Sequence, residues 1–190
     1  MKFNMGCGRR GLPGYVNVDS QPASHPDEVF DLEVTPWPWP SGCAEEILFN
    51  HSLEHMGGDP KVFLAIMQEI YRISAPGAVV QINVPHPRHD TFIADPTHVR
   101  PITDMTLTLF DRRLNDEWQK MGAANTPFAH YLDVDFEIIQ AEITLEDVYL
   151  QRCQSGEISE AQVFEMLRTQ NNIASELKFT LRVHKPGRGA

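Results

Sequence analysis

Lys2-Phe3-Asn4-Met5-Gly6-Cys7-Gly8 decides how the rest of the chain is read. Phe3 and Met5 alternate with polar neighbours, as the inward positions of a short strand do, and the strand runs directly into two glycines one residue apart. Glycine has no Cβ and tolerates positive φ, so such a turn, continued by a helical turn, lets a ligand approach backbone N–H groups closely. A nucleotide-like cofactor needs that kind of approach. Lys2 leaves no room for a preceding helix, and strand one is expected to open the chain.

Working outward, Tyr15-Val16-Asn17-Val18-Asp19 alternates and is β-branched, which predicts strand two, and Val29-Phe30-Asp31-Leu32 predicts a short strand three. Asp19 follows Gly8 by eleven residues and closes strand two, where a carboxylate can accept both hydroxyls of a ribose; Asp31, twelve residues later, can border a purine. A tight turn with two solvent-facing carboxylates is the plainer explanation. Against it, all three features fall at the ends of successive strands, where open α/β sheets bind ligands. A nicotinamide dinucleotide fits less well, because its fingerprint has a third spaced glycine and an acid about 20 residues on. The first crossover, Met5 to Tyr15, has space for barely two helical turns.

Glu46–Asn50 predicts strand four. Val62, Phe63, Ile66, Ile70 and Ile73 predict an amphipathic helix that starts at Asp59-Pro60 and stops at Pro76-Gly77. Ala78–Val84 suits a strand buried in a parallel sheet, and Pro85 to about Pro101 a long ordered loop. Beyond it, Met105–Met121 is expected to be helical, Phe136–Ile143 extended, Ser159–Arg168 helical behind a Ser159 cap, and Leu177–His184 extended. One domain over residues 1–185 follows, with an acceptor-side loop at about 85–103 and a disordered tail over 186–190.

With 190 residues, 42% of them apolar and 22% charged, the chain can build one buried core, which excludes a wholly disordered or collagen-like polymer. No stretch approaches the roughly 18 uncharged apolar residues of a membrane helix, and the first residues lack the apolar run of a signal peptide; a cytoplasmic protein without membrane association is expected. Cys7, Cys43 and Cys153 are too scattered for a disulfide framework or a thiolate zinc site. The net charge of −10 argues against nucleic acid as a partner, with Arg112-Arg113 a local exception. A homo-oligomer is compatible with the sequence.

In order and spacing, Phe3-Asn4-Met5-Gly6-Cys7-Gly8, Val16-Asn17-Val18-Asp19, Phe30-Asp31-Leu32, Pro36-Trp37-Pro38, Leu53-Glu54-His55 and Glu69-Ile70-Tyr71-Arg72 followed by Pro76-Gly77 form one set. The set resembles the class I S-adenosylmethionine-dependent methyltransferases, in particular a small methyltransferase-11-like group, over about residues 2 to 103. The resemblance implies an α/β, Rossmann-like fold with a mostly parallel seven-stranded sheet in the order 3-2-1-4-5-7-6, the last strand antiparallel and the usual first helix lacking. It implies that Gly6, Cys7 and Gly8 line the methionine and ribose of S-adenosylmethionine, that Asp19 holds the ribose, that Asp31 and Leu32 border the adenine, and that Asn50 and His51 face the transferred methyl. Asn4 is counted with these residues although many members have an acid there, and Arg10 replaces the usual third glycine. The Asp/Asn-Pro-Pro-aromatic motif of DNA amino-methyltransferases is missing at Asn50-His51-Ser52.

Methyl transfer from a sulfonium is a direct displacement, so the enzyme aligns the acceptor and can remove its proton. Five of the eight histidines, His51, His55, His86, His89 and His98, follow strands four and five. His55, His86, His89 and His98 are the catalytic candidates. For the cluster of His86, His89, Asp90, Asp95 and His98 three readings compete: binding and deprotonating the acceptor, ligating a divalent metal, or only ordering a long loop. The spacing matches no metal motif, and no metal site is expected. Arg88 and Arg100 are expected to pair with Asp90 and Asp95, or with an anionic acceptor. Trp37 and Trp39 can flank adenine, or, as expected of Trp39, pack a proline-rich loop. The sequence thus points to methyl transfer to a small or medium-sized acceptor. The alternatives are a catalytically silent cofactor-binding or assembly subunit and a metal-dependent hydrolase or lyase built on His86, His89, Asp95 and His98.

Overall fold

The glycine pair ends β1 (Lys2–Met5), whose inward side chains Phe3 and Met5 are fully buried. A computed structural model describes residues 1–187. The other strands are β2 (Val16–Asp19), β3 (Glu28–Val29), β4 (Ala44–Asn50), β5 (Ser74–Pro85), β6 (Phe136–Leu145) and β7 (Ala174–Val183). They form one seven-stranded sheet in the order β3-β2-β1-β4-β5-β7-β6. β1 to β5 pair in parallel, and β7 runs antiparallel to both β5 and β6, as expected. The order reverses between β1 and β4, so a crevice opens beyond their C-terminal ends.

Every second residue of the central strands enters the apolar core: Phe3 and Met5, Ile47 and Phe49, Val80, Ile82 and Val84, Phe179 and Leu181. The helix α1 (Pro60–Ile73) covers this face with Phe63, Ile66, Met67, Ile70 and Ile73, joined by Leu107 of α3 (Asp104–Thr108) and by Phe110. Each such side chain contributes roughly 1.5–3 kcal/mol on burial. The opposite face carries Asn17, Glu46, Gln81, Asn83, Lys178 and Thr180, all half-exposed. Ala78–Val84 was expected to be buried on both faces, as parallel strands usually are. Gln81 and Asn83 instead face water, because no α-helix joins β1 to β2, β2 to β3 or β3 to β4 to cover them, the second of these connections having only a 3-10 turn over Pro22–Ser24.

The helical turn expected after Gly8 is therefore absent, and Asn17 does its work. Its Oδ1 accepts the Leu12 N–H at 2.7 Å and the Asn4 amide at 2.9 Å, while its Nδ2 donates to Asp27 at 2.8 Å. Backbone groups that a helix would have satisfied internally are met by one side chain. Between β3 and β4 the Pro36–Pro40 segment packs inward: Trp37 and Trp39 are buried, with the Trp39 ring 4.9 Å from that of Phe3.

Asp59 caps α1 by accepting from Lys61 N, with Pro60 in the first turn, as expected. The helix ends at Ile73, ahead of Pro76-Gly77, because Ser74 already pairs with Ala44 and opens β5. The helix expected over Met105–Met121 is two: α3 and α4 (Arg112–Met121), the second capped by Asp111. The long loop contains the single turn α2 (Asp90–Ile93). After α4 comes α5 (Phe128–Tyr131); between β6 and β7 lie α6 (Asp147–Gln154) and α7 (Glu160–Thr169), the latter opened by a Ser159–Gln162 capping box. Ile158, Val163 and Ile173 form a small core of their own there. Among the described residues, no helix is long and apolar enough to cross a membrane. Arg188, Gly189 and Ala190 of the expected tail lie outside the described residues, whereas Gly187 packs against the Arg112 side chain.

Candidate active site

Gly6 and Gly8 both take positive φ, +68° and +52°, which few other residues would adopt without strain. Their N–H groups are not free for a ligand, contrary to the sequence expectation. Gly6 N and Cys7 N donate to Val18 O at 2.9 and 3.0 Å, and Gly8 N donates to Asp19 Oδ2 at 2.7 Å. The turn thus supplies a surface without Cβ atoms, and Asp19 supplies its polar chemistry. Asp19 Oδ1 accepts from Gln21 N at 2.8 Å, and each carboxylate oxygen keeps a further lone pair.

From this turn a cleft opens in two lobes that share Gly6, Gly8, His51 and His55. The first, about 500 Å³, is lined by Asp19, Ser20, Phe30, Asp31, Leu32 and Glu33. The second, about 690 Å³, is lined by Cys7, Arg9, Arg10, Asn50, Glu54, Asp95, His98 and Glu176. Gly6, Cys7, Gly8, Asp19, Asp31, Leu32, Asn50 and His51 therefore meet in one cleft. Asn4 does not reach it: it is buried beneath the turn, donating to Arg10 O and Asn17 Oδ1. Trp37 and Trp39 do not reach it either, and the ring at the first lobe is Phe30.

Of the four catalytic candidates, His55 and His98 line the cleft, their rings 4.5 Å apart. His86 and His89 do not. The His86 ring accepts from Arg88 N and is held below its usual pKa by burial, with Arg88 and His89 adding to the effect. His89 caps α2 and pairs with Glu146 at 3.2 Å. The set His86, His89, Asp95 and His98 is thus divided. Arg88 and Arg100 are not paired with Asp90 and Asp95: Arg88 donates to Arg168 O, and Arg100 donates to Gly57 O and lies over the Phe63 ring. Arg112 and Arg113 are matched by Asp133 and Glu117, which removes the local basic patch.

Glu54 has no role among the residues expected from sequence, yet its side chain is 1% exposed at the floor of the second lobe. His51 Nδ1, His55 Nε2 and His98 Nε2 surround its Oε1 at 3.7, 3.9 and 4.0 Å. Among the described residues neither Glu54 oxygen meets the geometry of a hydrogen bond. Burial pushes its carboxyl above the ordinary range, against the pull of its own backbone N–H and of the three histidines. His51 sits at φ +52°, a strained position for its residue type, with Nε2 at 2.7 Å from Glu176. Burial would raise Glu176, but hydrogen bonds from Lys178 and His51 hold it below the usual carboxylate range. The signal in the sequence was Glu54 itself, a carboxylate between Leu53 and His55 that an apolar neighbour carries inward.

No family model matches the sequence, and no curated protein matches it. Solved structures do match. A SAM-dependent methyltransferase from Archaeoglobus fulgidus is 19% identical with a TM-score of 0.57, over 95% of this chain and 84% of that one. One from Methanosarcina mazei is 10% identical with a TM-score of 0.56, over 96% of this chain and 91% of that one. The [4+2]-cyclase SpnF is 13% identical with a TM-score of 0.52, over 96% and 73%. At these identities the likeness is one of architecture: strand order, crevice position and chain coverage together show that this chain has the class I methyltransferase fold.

Proposed function

We propose that the protein is an S-adenosylmethionine-dependent methyltransferase acting on a small or medium-sized acceptor. The observation that carries this reading is the Gly6–Gly8 turn bonded to Asp19 at the switch point, with Asp31 and Phe30 along the same lobe. A Cβ at Gly8 would meet no atom within 4 Å and would project into open space, so the turn leaves room for a nucleoside. The free lone pairs of Asp19 suit a vicinal diol, and Phe30, Asp31 and Leu32 suit an aromatic base with exocyclic donors. The residues present therefore fit the cofactor of the structural neighbours. When bound, S-adenosylmethionine supplies an electrophilic methyl group on a sulfonium.

Asp19 would hold the ribose and Asp31 and Leu32 the adenine, while His51 at the junction of the two lobes, with Cys7 and Asn50 beside it in the second, would face the methionine end. The acceptor would occupy the second lobe, where His51, Glu54, His55 and His98 converge and can hold its polar group in line. The net charge of −10 and the neutralised Arg112-Arg113 pair favour a small molecule over nucleic acid.

Titration calorimetry with S-adenosylhomocysteine tests the cofactor assignment: saturable binding is expected, and a folded protein that binds none overturns it. One observation favours a second reading. Asn4 is occupied under the turn and brings no charge to the cofactor's ammonium, and SpnF is a cyclase on the same fold. A cofactor-binding protein without transfer activity would bind S-adenosylhomocysteine yet transfer no labelled methyl to any acceptor in a broad panel.

A further inference from the structure

Glu54 is buried, and among the described residues neither of its side-chain oxygens has a partner at hydrogen-bond geometry, an arrangement that is costly for a carboxylate unless something positive completes it. The ring nitrogen nearest Glu54 Oε1 is His51 Nδ1 at 3.7 Å, and in neutral His51 that atom is bare, because Nε2 carries the proton toward the Glu176 carboxylate at 2.7 Å. His98 Nδ1 lies 2.9 Å from the Phe92 carbonyl, which only accepts, so neutral His98 is protonated at Nδ1 and turns a bare Nε2 toward Glu54. His55 Nδ1 lies 2.9 Å from Thr97 Oγ1, whose own hydrogen goes to Asp95 Oδ1 at 2.6 Å; His55 is likewise protonated at Nδ1 and bare at Nε2. The two Nε2 atoms stand 3.9 and 4.0 Å from Glu54 Oε1, too far to share a proton. The ligand atoms of all three residues lie within 4.8 Å of one another.

Three electron pairs thus point at one small space. The far nitrogen of each imidazole is anchored to a carbonyl or to a hydroxyl backed by a carboxylate, as in histidines that bind metals. We propose that Glu54, His55 and His98 form a binding site for a divalent first-row transition cation such as Zn²⁺ or Co²⁺. Two imidazoles and one carboxylate suit these ions. Metal–ligand bonds of about 2.0–2.2 Å put ligand atoms roughly 3–4 Å apart, so the widest separation in the cluster needs to contract by about 1–2 Å. His51 Nδ1, 3.7 Å from the same oxygen, is within reach as a further ligand. The site differs from the metal alternative raised by the sequence, which used His86 and His89 and omitted Glu54.

The remaining coordination positions open on the second lobe. A cation there would bind an oxygen of the acceptor, a hydroxyl or a carboxylate, and lower the pKa of a bound hydroxyl. That role rests on the proposed transferase reading; the cation site itself does not.

The test is a Co²⁺ titration of the full chain after chelator treatment and dialysis, followed by visible d–d absorption, with Zn²⁺ as competitor. One Co²⁺ per chain, displaced by Zn²⁺, is expected. Glu54→Gln and His98→Asn should each weaken binding at least about tenfold, and His130→Asn, which sits against Asp116, should leave it unchanged. Should Glu54→Gln fail to fold, a Zn²⁺-induced rise in melting temperature that is present in the wild type and lost in His55→Asn supports the site equally. No cobalt absorption, or binding that survives in both His55→Asn and His98→Asn, overturns it. S-adenosylhomocysteine titrated into the same samples reads the transferase assignment separately: its binding with no cobalt signal removes the cation site alone.

Discussion

Gly6 and Ser52 meet where the strand order reverses. A Cβ placed on Gly6 would stand 2.5 Å from the Ser52 Cβ, and Ser52 Oγ donates to Met5 O at 2.7 Å. The turn after β1 is therefore clamped to the end of β4. Gly6→Ala should strain a φ of +68° and push the clamp apart, costing about 2–4 kcal/mol and removing S-adenosylhomocysteine binding. Gly8→Ala, with open space around it, should cost about 1–2 kcal/mol yet still obstruct the ligand. Denaturant unfolding and calorimetry on both variants check this, and a Gly6→Ala protein as stable as wild type would show the clamp to be loose.

Asp19 ties two loops as well as facing the cleft. Asp19→Ala frees Gly8 N and Gln21 N and should lower stability by about 1–3 kcal/mol. Asp19→Asn keeps an oxygen acceptor and should fold nearly normally, but it should bind S-adenosylhomocysteine about tenfold or more weakly, since a charged acceptor to a diol is replaced by a neutral one. Wild-type affinity in Asp19→Asn would remove Asp19 from ribose recognition.

Glu69 and Arg72 hold the Trp37–Trp39 segment against α1. Glu69 accepts from Arg72 Nε and Nη2 and from Trp37 N, and Arg72 also donates to the Trp37 and Trp39 carbonyls. Hydrogen bonds from Arg72 hold the Glu69 carboxyl below its ordinary value, overcoming the opposing effect of burial, with the Trp37 N–H and the Arg72 charge assisting. The folded pKa is the lower one, so this stabilisation is complete above the unfolded value and fades as pH falls through the folded value. Glu69→Gln should cost about 2–3 kcal/mol near pH 7, with the difference from wild type shrinking below about pH 4. Urea unfolding across that range measures it; a difference independent of pH would contradict the assignment.

The α6–α7 excursion has its own core and supports the histidine loop through Arg88–Arg168, Asp90–Asn172 and His89–Glu146 contacts. Val163→Ala should cost about 1–2 kcal/mol locally. Hydrogen exchange should then show faster amides in α6 and α7 while β1, β4 and β5 keep their protection. Uniformly faster exchange in all strands would show one cooperative unit.

Local chemistry made part of this legible from sequence. The Asp59-Pro60 helix start and the Ser159 cap each depend on neighbours within a few residues, and the Gly6–Gly8 pair marks its turn by residue type alone although Val18, Asp19 and Ser52 hold it. The strand order came through the resemblance of the ordered motifs. What was hidden depends on distant partners. Asn17 replaces a crossover helix only because Asn4, Leu12 and Asp27 converge on it. Glu54 and His98 come together through a loop whose path no periodicity records, and the same path turns His89 toward Glu146. The Gln81 and Asn83 positions read as interior because their apolar neighbours were the stronger signal.

A sheet clothed on a single side has two different rules of substitution. Positions such as Ile82 must match their neighbours in shape, whereas positions such as Gln81 need only stay wettable. Half of each central strand is thereby released from steric selection. An isoleucine introduced on the wet side would leave folding intact and turn the surface into a sticky plank, so solubility, rather than stability, sets the limit on change there.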